Sequence, residues 1–178
     1  MSAGPRRDGG DGGDGPTDGP PRPTPSGADG HAATTRDWAV AVFVVWRRRV
    51  LLHRHPKLDK WLPCGGHVEP GETPDDAAVR EVLEESGVPI RLLSEAPISA
   101  PGPRQLARPR GVQLETIGPG HEHVDLVYLA RPTTGYDGRL AGVKSLGWYD
   151  ASALAGLPLT AEIRAWCELA LAEVGPAG

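Results

Sequence analysis

A single α/β domain behind a glycine- and proline-rich N-terminal segment is the architecture that this 178-residue chain predicts. Three observations carry the expectation. Near-continuous apolar runs rich in β-branched residues, WAVAVFVVW from Trp38 and HVDLVYLARP from His123, read as strands buried inside a sheet. Thr73-Pro74-Asp75-Asp76, closed downstream by Gly87, brackets one helix, and TAEIRAWCELALAEVG near the C-terminus repeats apolar residues at helical spacing.

The segment from Met1 to about Arg36 is dense in glycine and proline and almost devoid of apolar side chains, so it cannot offset its own ordering entropy. It is expected to be disordered, as a solvated extension or a partner-binding tail, with the folded domain running over 37–176. A net charge of −4 supplies no basic excess, which argues against nucleic acid as a partner. No apolar run approaches the ~20 residues that span a bilayer, and Cys64 and Cys167 stand far apart without a CxxC partner. A soluble protein of the reducing cytoplasm, without a membrane partner, is the expectation.

Taken in order, the first strand starts at Trp38, and RRRVLLHRH continues it through a short basic turn into a hairpin. His53 and His55 flank Arg54 there, as a basic, partly exposed strand end or as groups facing phosphate. In the helix, Thr73 is the expected N-cap, Pro74 takes the first helical position and the acids that follow suit the N-terminal dipole. At ~100° per residue Glu81, Glu84 and Glu85 share one side, and Val79, Val82 and Leu83 the other, which is expected to face the core. GVQLETI and HVDLVYLARP form two later strands separated by the turn GPG. Asp150 caps a short helix, and Ile163, Trp166, Cys167 and Leu171 make the stripe by which the last helix packs on the sheet.

Three glutamates on one helical face repel one another by a few tenths of a kcal/mol per pair. A solvated acidic face would tolerate this in water. The alternative is a hard divalent cation, which seeks clustered oxygen ligands and shares its remaining positions with water and phosphates. The flexible Gly65-Gly66 and Gly71-Glu72 at the entry to the helix favour that alternative.

Gly66, five residues, Glu72, seven residues, then Arg80-Glu81-Val82-Leu83-Glu84-Glu85-Ser86-Gly87-Val88 resembles the signature of the Nudix hydrolases at every position. The resemblance implies a Nudix-type α/β/α sandwich with a mixed β-sheet, and Mg²⁺ (or Mn²⁺) held against a diphosphate. It implies metal ligation by Glu81, Glu84, Glu85 and the carbonyl of Gly65, with Glu72, Arg80, Glu84 and Glu85 as catalytic residues. Of these, Arg80 would orient the carboxylates and Glu72 would support them from the loop. The implied reaction is hydrolysis of a diphosphate linkage in a nucleotide-type small molecule by attack of water on phosphorus. A Nudix-fold module that binds a nucleotide without cleaving it is the alternative.

The family often carries a further carboxylate just before a late tryptophan strand, but LAGVKSLGWYD has no acid ahead of Trp148. Glu115, Glu122, His123 and Asp125 are substitutes for the missing base, as is Glu84 or Glu85 through a bound water, and a solvent-facing strand end is the plainer reading of each strand residue. His123 and Asp125 point with His121 to one side of their strand, and with Trp61 they are the candidate substrate contacts. Trp61 would stack on a base or seal the core. Pro103, about fifteen residues past the signature, matches a proline of family members that act on ADP-ribose, in a stretch rich in proline anyway. Arg104, Arg108 and Arg110 on that loop either contact phosphate or are solvated. Cys64 lacks a neighbouring histidine and is expected to be inert.

Overall fold

The computed structural model describes residues 34–94, 98, 100–141 and 145–175. The segment expected to be disordered lies outside them up to residue 33, and strand β1 (Thr35–Trp46) begins three residues ahead of the expected Trp38. After β1 come β2 (Arg49–His55), β3 (Lys60–Leu62), β4 (Cys64–His67), α1 (Pro74–Ser86) and β5 (Ile90–Leu92). The chain continues through β6 (Gly111–Gly118), β7 (His121–Pro132), β8 (Gly147–Tyr149), α2 (Ala151–Ala155) and α3 (Ala161–Glu173). Among the described residues, no helix is long and apolar enough to cross a membrane.

The sheet is mixed and follows the order β3-β2-β1-β7-β5, with β4 also paired to β1, β6 to β7 and β8 to β2. Its spine is the parallel pair β1 and β7, in register from Thr35 opposite His121 to Val44 opposite Ala130. The other pairings are antiparallel. Because side chains alternate across a strand, β1 feeds two cores. Val40, Val42 and Val44 pack with Leu51, Cys64, Tyr128 and the Ala77, Ala78 and Val82 face of α1. Phe43 and Val45 pack on the other face with Val127, Leu129 and the Ile163, Cys167 and Ala170 stripe of α3. Helices on both faces of a mixed sheet make the α/β/α sandwich expected above.

Asp150 caps α2 as expected, accepting from Ala153 N–H at 2.9 Å, and Thr160 caps α3 by accepting from Ile163 N–H at 3.2 Å. Thr73 differs. It precedes α1, but its hydroxyl donates to Asp75 at 2.5 Å and Asp76 at 2.6 Å and accepts no backbone N–H. The single hydroxyl proton is turned toward the two carboxylates of the first turn, a charge-assisted contact, and Pro74 has no N–H to offer the oxygen. Gly87 ends the helix as expected, at φ 69°, with its N–H on Leu83 O.

Two side-chain placements depart from the sequence reading. Val79 and Leu83 are exposed at 38% and 50%, and the inward face of α1 is built from Ala77, Ala78, Val82 and Ser86. On a helical wheel Glu81 and Glu85 lie between these buried positions, not opposite them. His53 is also buried, not a partly exposed strand end, and its Nδ1 has no hydrogen-bond partner among the described residues. Burial and the neighbouring His55 hold its pKa below the usual histidine value. The unfolded chain then binds a proton near pH ~6.5 that the folded chain refuses, so stability is full above that pH and lost below it. Replacing His53 with Gln is expected to flatten the fall in Tm between roughly pH 6.5 and 5. Unchanged acid sensitivity in the variant would remove His53 as its source.

Candidate active site

The glycines of β4 explain how α1 carries carboxylates inward. A Cβ at Gly66 would lie 2.4 Å from Glu81 Oε1 and 2.9 Å from Oε2, so the Glu81 carboxylate occupies the space a side chain would fill. One residue earlier, Gly65 N–H donates to Glu85 Oε2 at 3.1 Å. In a strand the N–H and C=O of one residue point to the same edge. The Gly65 carbonyl, opposite Ala41 in the register, therefore also turns from β1 toward Glu85. Glu81 and Glu85 are largely covered, with side chains 15% and 24% exposed, whereas Glu84 is open at 60%.

Arg80 ties this face to the loop. Its guanidinium grips Glu72 with two bonds, Nε to Oε1 at 2.8 Å and Nη2 to Oε2 at 2.9 Å. Nη1 reaches Glu81 Oε1 at 2.7 Å and Glu84 Oε2 at 3.3 Å, and Nη2 also donates to the carbonyl of His67 at 3.0 Å. A planar five-donor fork suits this division, which the point charge of a lysine would not reproduce. Arg80 holds the Glu72 carboxyl below its usual pKa, and the Glu69 N–H, accepted at 3.1 Å, adds to the effect. Glu85 moves the other way. Burial pushes its carboxyl up, the Gly65 N–H pulls it partly back, and the Glu81 charge pushes it up again.

The donor set fits a hard divalent cation. Glu81, Glu84, Glu85 and the Gly65 carbonyl offer oxygen alone, and burial, then the Glu81 charge, disfavours the ionised form of Glu85. Arg80 compensates Glu81 and Glu72 but makes no bond to Glu85. The three helical carboxylates do not draw as close together as Asp37, His121 and His123, whose ligand atoms lie within 4.8 Å of one another.

The strand candidates lie elsewhere. Asp125 shares its face of β7 with Val127 and Leu129, hence the α3 side of the sheet. There Gln113 Nε2 bridges Asp125 at 3.5 Å and Glu162 of α3 at 3.1 Å, while its Oε1 accepts from Trp166 Nε1 at 3.0 Å. Gln113 and Glu162 escaped the sequence reading because α3 meets β6 only through the tertiary fold. Glu115, opposite His123 in the β6–β7 register, has a raised pKa, from burial first and then from Asp125 and Glu162. Glu122 is paired with Arg36 at 2.7 Å. Trp61 lies edge-on to Tyr149 at 5.2 Å and packs on the α3-side core. His123 faces His67 and His121, and no bond joins it or Asp125 to the α1 carboxylates among the described residues.

On the loop ahead of β6, Arg104 pairs with Asp75 and Asp76, and Arg110 grips Glu173 at 2.7 Å. Both basic groups are thus engaged within the chain. Cys64 is buried, and burial together with Glu85 raises its thiol far above the range of a nucleophile.

A family model described as NUDIX domain matches residues 35–171, from the first residue of β1 into α3. The chain belongs to the NUDIX family. The NUDIX domain superimposes on a hydrolase of the NUDIX family from Clostridium perfringens with a TM-score of 0.69 and 32% identity, covering 79% of this chain and 99% of that one. A MutT NUDIX hydrolase from Burkholderia pseudomallei aligns with a TM-score of 0.52 and 26% identity over 79% of this chain and 99% of its own. In sequence, diphosphoinositol polyphosphate phosphohydrolase 3-alpha of Mus musculus is 56% identical over 39 residues. That match spans 22% of this chain and 23% of the mouse protein.

Proposed function

We propose that the NUDIX domain is a pyrophosphohydrolase that cleaves the diphosphate linkage of a nucleoside diphosphate joined to another moiety, or of a related nucleotide, by attack of water on phosphorus. The observation that carries this reading is the pair of inward carboxylates, Glu81 over Gly66 and Glu85 on the Gly65 N–H. A pure binding module has no use for charge buried at that cost, with Arg80 committed to holding it. Mg²⁺ or Mn²⁺ bound by Glu81, Glu84, Glu85 and the Gly65 carbonyl would neutralise phosphoryl oxygens and acidify a bound water. Within the chain, Glu72 and the His67 carbonyl fix Arg80, and Arg80 fixes the rotamer of Glu81.

Among the candidate bases, Glu122 is held by Arg36 and Asp125 by Gln113. Glu115 has no arginine partner among the described residues, and its carboxyl is raised above the usual glutamate value, the direction that favours a general base. Glu115→Gln is expected to lower kcat about a hundredfold with KM little changed, and to erase the acidic limb of the pH–rate profile. Full turnover in that variant would transfer the role to Glu84 or Glu85.

The reading is tested by Mg²⁺-dependent phosphate release from nucleoside triphosphates, nucleoside diphosphate sugars, dinucleoside polyphosphates and inositol pyrophosphates. The short strong match to a diphosphoinositol polyphosphate phosphohydrolase is the reason for the last class. Turnover of one class supports the proposal. Tight binding of one class with no turnover of any would establish the module that binds without cleaving.

A further inference from the structure

A second cluster stands apart from the α1 carboxylates, on the opposite face of the sheet at the start of β1 and β7. Asp37, His121 and His123 bring their ligand atoms within 4.8 Å of one another. His121 Nε2 lies 3.6 Å from Asp37 Oδ2. His67, from the end of β4, adds its Nε2 at 3.2 Å from His123 Nε2 and 3.9 Å from Asp37 Oδ2. With bonds of 2.0–2.1 Å, two ligands of a tetrahedral ion are separated by roughly 3.3 Å. The 3.2 and 3.6 Å spacings are close to that, while the 3.9 Å from His67 to Asp37 leaves His67, which stands outside the set of three, to move inward as a fourth ligand.

Thr35 Oγ1 lies 2.9 Å from His121 Nδ1, so that nitrogen is tied to β1 and Nε2 is the one left facing Asp37. Register holds the set together, since Thr35 is opposite His121, Asp37 opposite His123 and Ala39 opposite His67. We propose that Asp37, His67, His121 and His123 form a zinc site, distinct from the magnesium site of α1. Three imidazoles and one carboxylate suit Zn²⁺, as the all-oxygen set of α1 suits Mg²⁺. The ion would cross-link the beginning of β1 to β7 and to the strand that leads into the Nudix loop.

The test uses the full-length chain, free of any affinity tag, stripped with chelator and returned to millimolar Mg²⁺. Calorimetric titration with ZnCl₂ is expected to show one site per chain with a Kd of about 1 µM or tighter, and a raised Tm. Asp37→Ala and His121→Ala should each weaken the site at least tenfold, while Glu85→Gln should leave it unchanged. Should a variant fold poorly, Co²⁺ bound to the wild-type chain reports directly, through the intense visible bands of four-coordinate cobalt. Absence of binding at ~100 µM Zn²⁺, binding that survives both substitutions, binding abolished by Glu85→Gln, or six-coordinate cobalt would each overturn the proposal. Neither Asp37 nor His121 bonds to α1, so failure here leaves the hydrolase reading intact.

Discussion

Glu84→Gln and Glu85→Gln are each expected to reduce turnover at least about a hundredfold, near 3 kcal/mol of transition-state stabilisation, without loss of the fold. The two substitutions should nonetheless differ in stability. Glu84 is open to solvent and carries only the long 3.3 Å contact to Arg80, so its charge contributes little to folding. Glu85 is mostly covered, and its pKa is raised chiefly by burial. A carboxylate raised in the folded state stabilises the fold when protonated, and that contribution is lost as pH climbs through the folded value. Above the folded value the ionised Glu85 is therefore a liability, and Glu85→Gln should hold or raise Tm in the absence of divalent metal. Its amide oxygen can still accept the Gly65 N–H. Mg²⁺ should then raise the Tm of the wild-type chain more than that of the variant. Thermal melts with and without Mg²⁺, alongside steady-state rates, separate these effects. Wild-type turnover in both variants would sink the assignment of the metal to α1.

Much of this was legible in the chain, for reasons that are local. Gly87 stops α1, Asp150 caps α2, and the β-branched run of β1 is buried on both faces as its composition demands. The Nudix signature brought Arg80, Glu72, Glu81 and Glu84 together as the residues that bond one another, because its spacing reflects one loop and one helix. The inward face of α1 was not legible. Hydrophobicity favours Val79 and Leu83 for the core, but the face turned to the sheet carries Ala77, Ala78, Val82 and Ser86, with Glu81 set against Gly66 of β4. That proximity is a property of pairing between distant segments, invisible to a helical wheel. The same applies to His67 and Asp37, which are unremarkable in sequence and meet His121 and His123 only through the β1–β4 and β1–β7 registers.

Two adjacent glycines of β4 should fail in opposite ways when each is replaced by alanine. At Gly65 the added Cβ would lie 2.1 Å from the Val40 carbonyl oxygen, with Val40 C and Ala41 Cα at 3.0 and 3.1 Å. All three are backbone atoms of the central strand, and no rotamer change relieves them. The pairing of β4 with β1 must open, at a cost toward or beyond the upper end of the ~1–3 kcal/mol typical of overpacking, which lowers Tm by roughly 10 °C. At Gly66 the obstacle is only the carboxylate of Glu81, the mobile end of a side chain. Glu81 can swing aside, so Gly66→Ala is expected to keep Tm within a few degrees of wild type. That swing also pulls Glu81 from Arg80 Nη1 and moves it relative to Glu85 and the Gly65 carbonyl. Displacing a catalytic or ligating group by about 1 Å costs on the order of a hundredfold in rate, so turnover should fall by that order, with a higher Mg²⁺ requirement. Thermal melts and Mg²⁺ titrations of rate on the two variants decide the matter. A Gly66→Ala enzyme with wild-type rate and Mg²⁺ dependence would mean that the position of Glu81 over the strand has no part in catalysis, and a stable Gly65→Ala chain would mean that β4 does not need its close approach to β1.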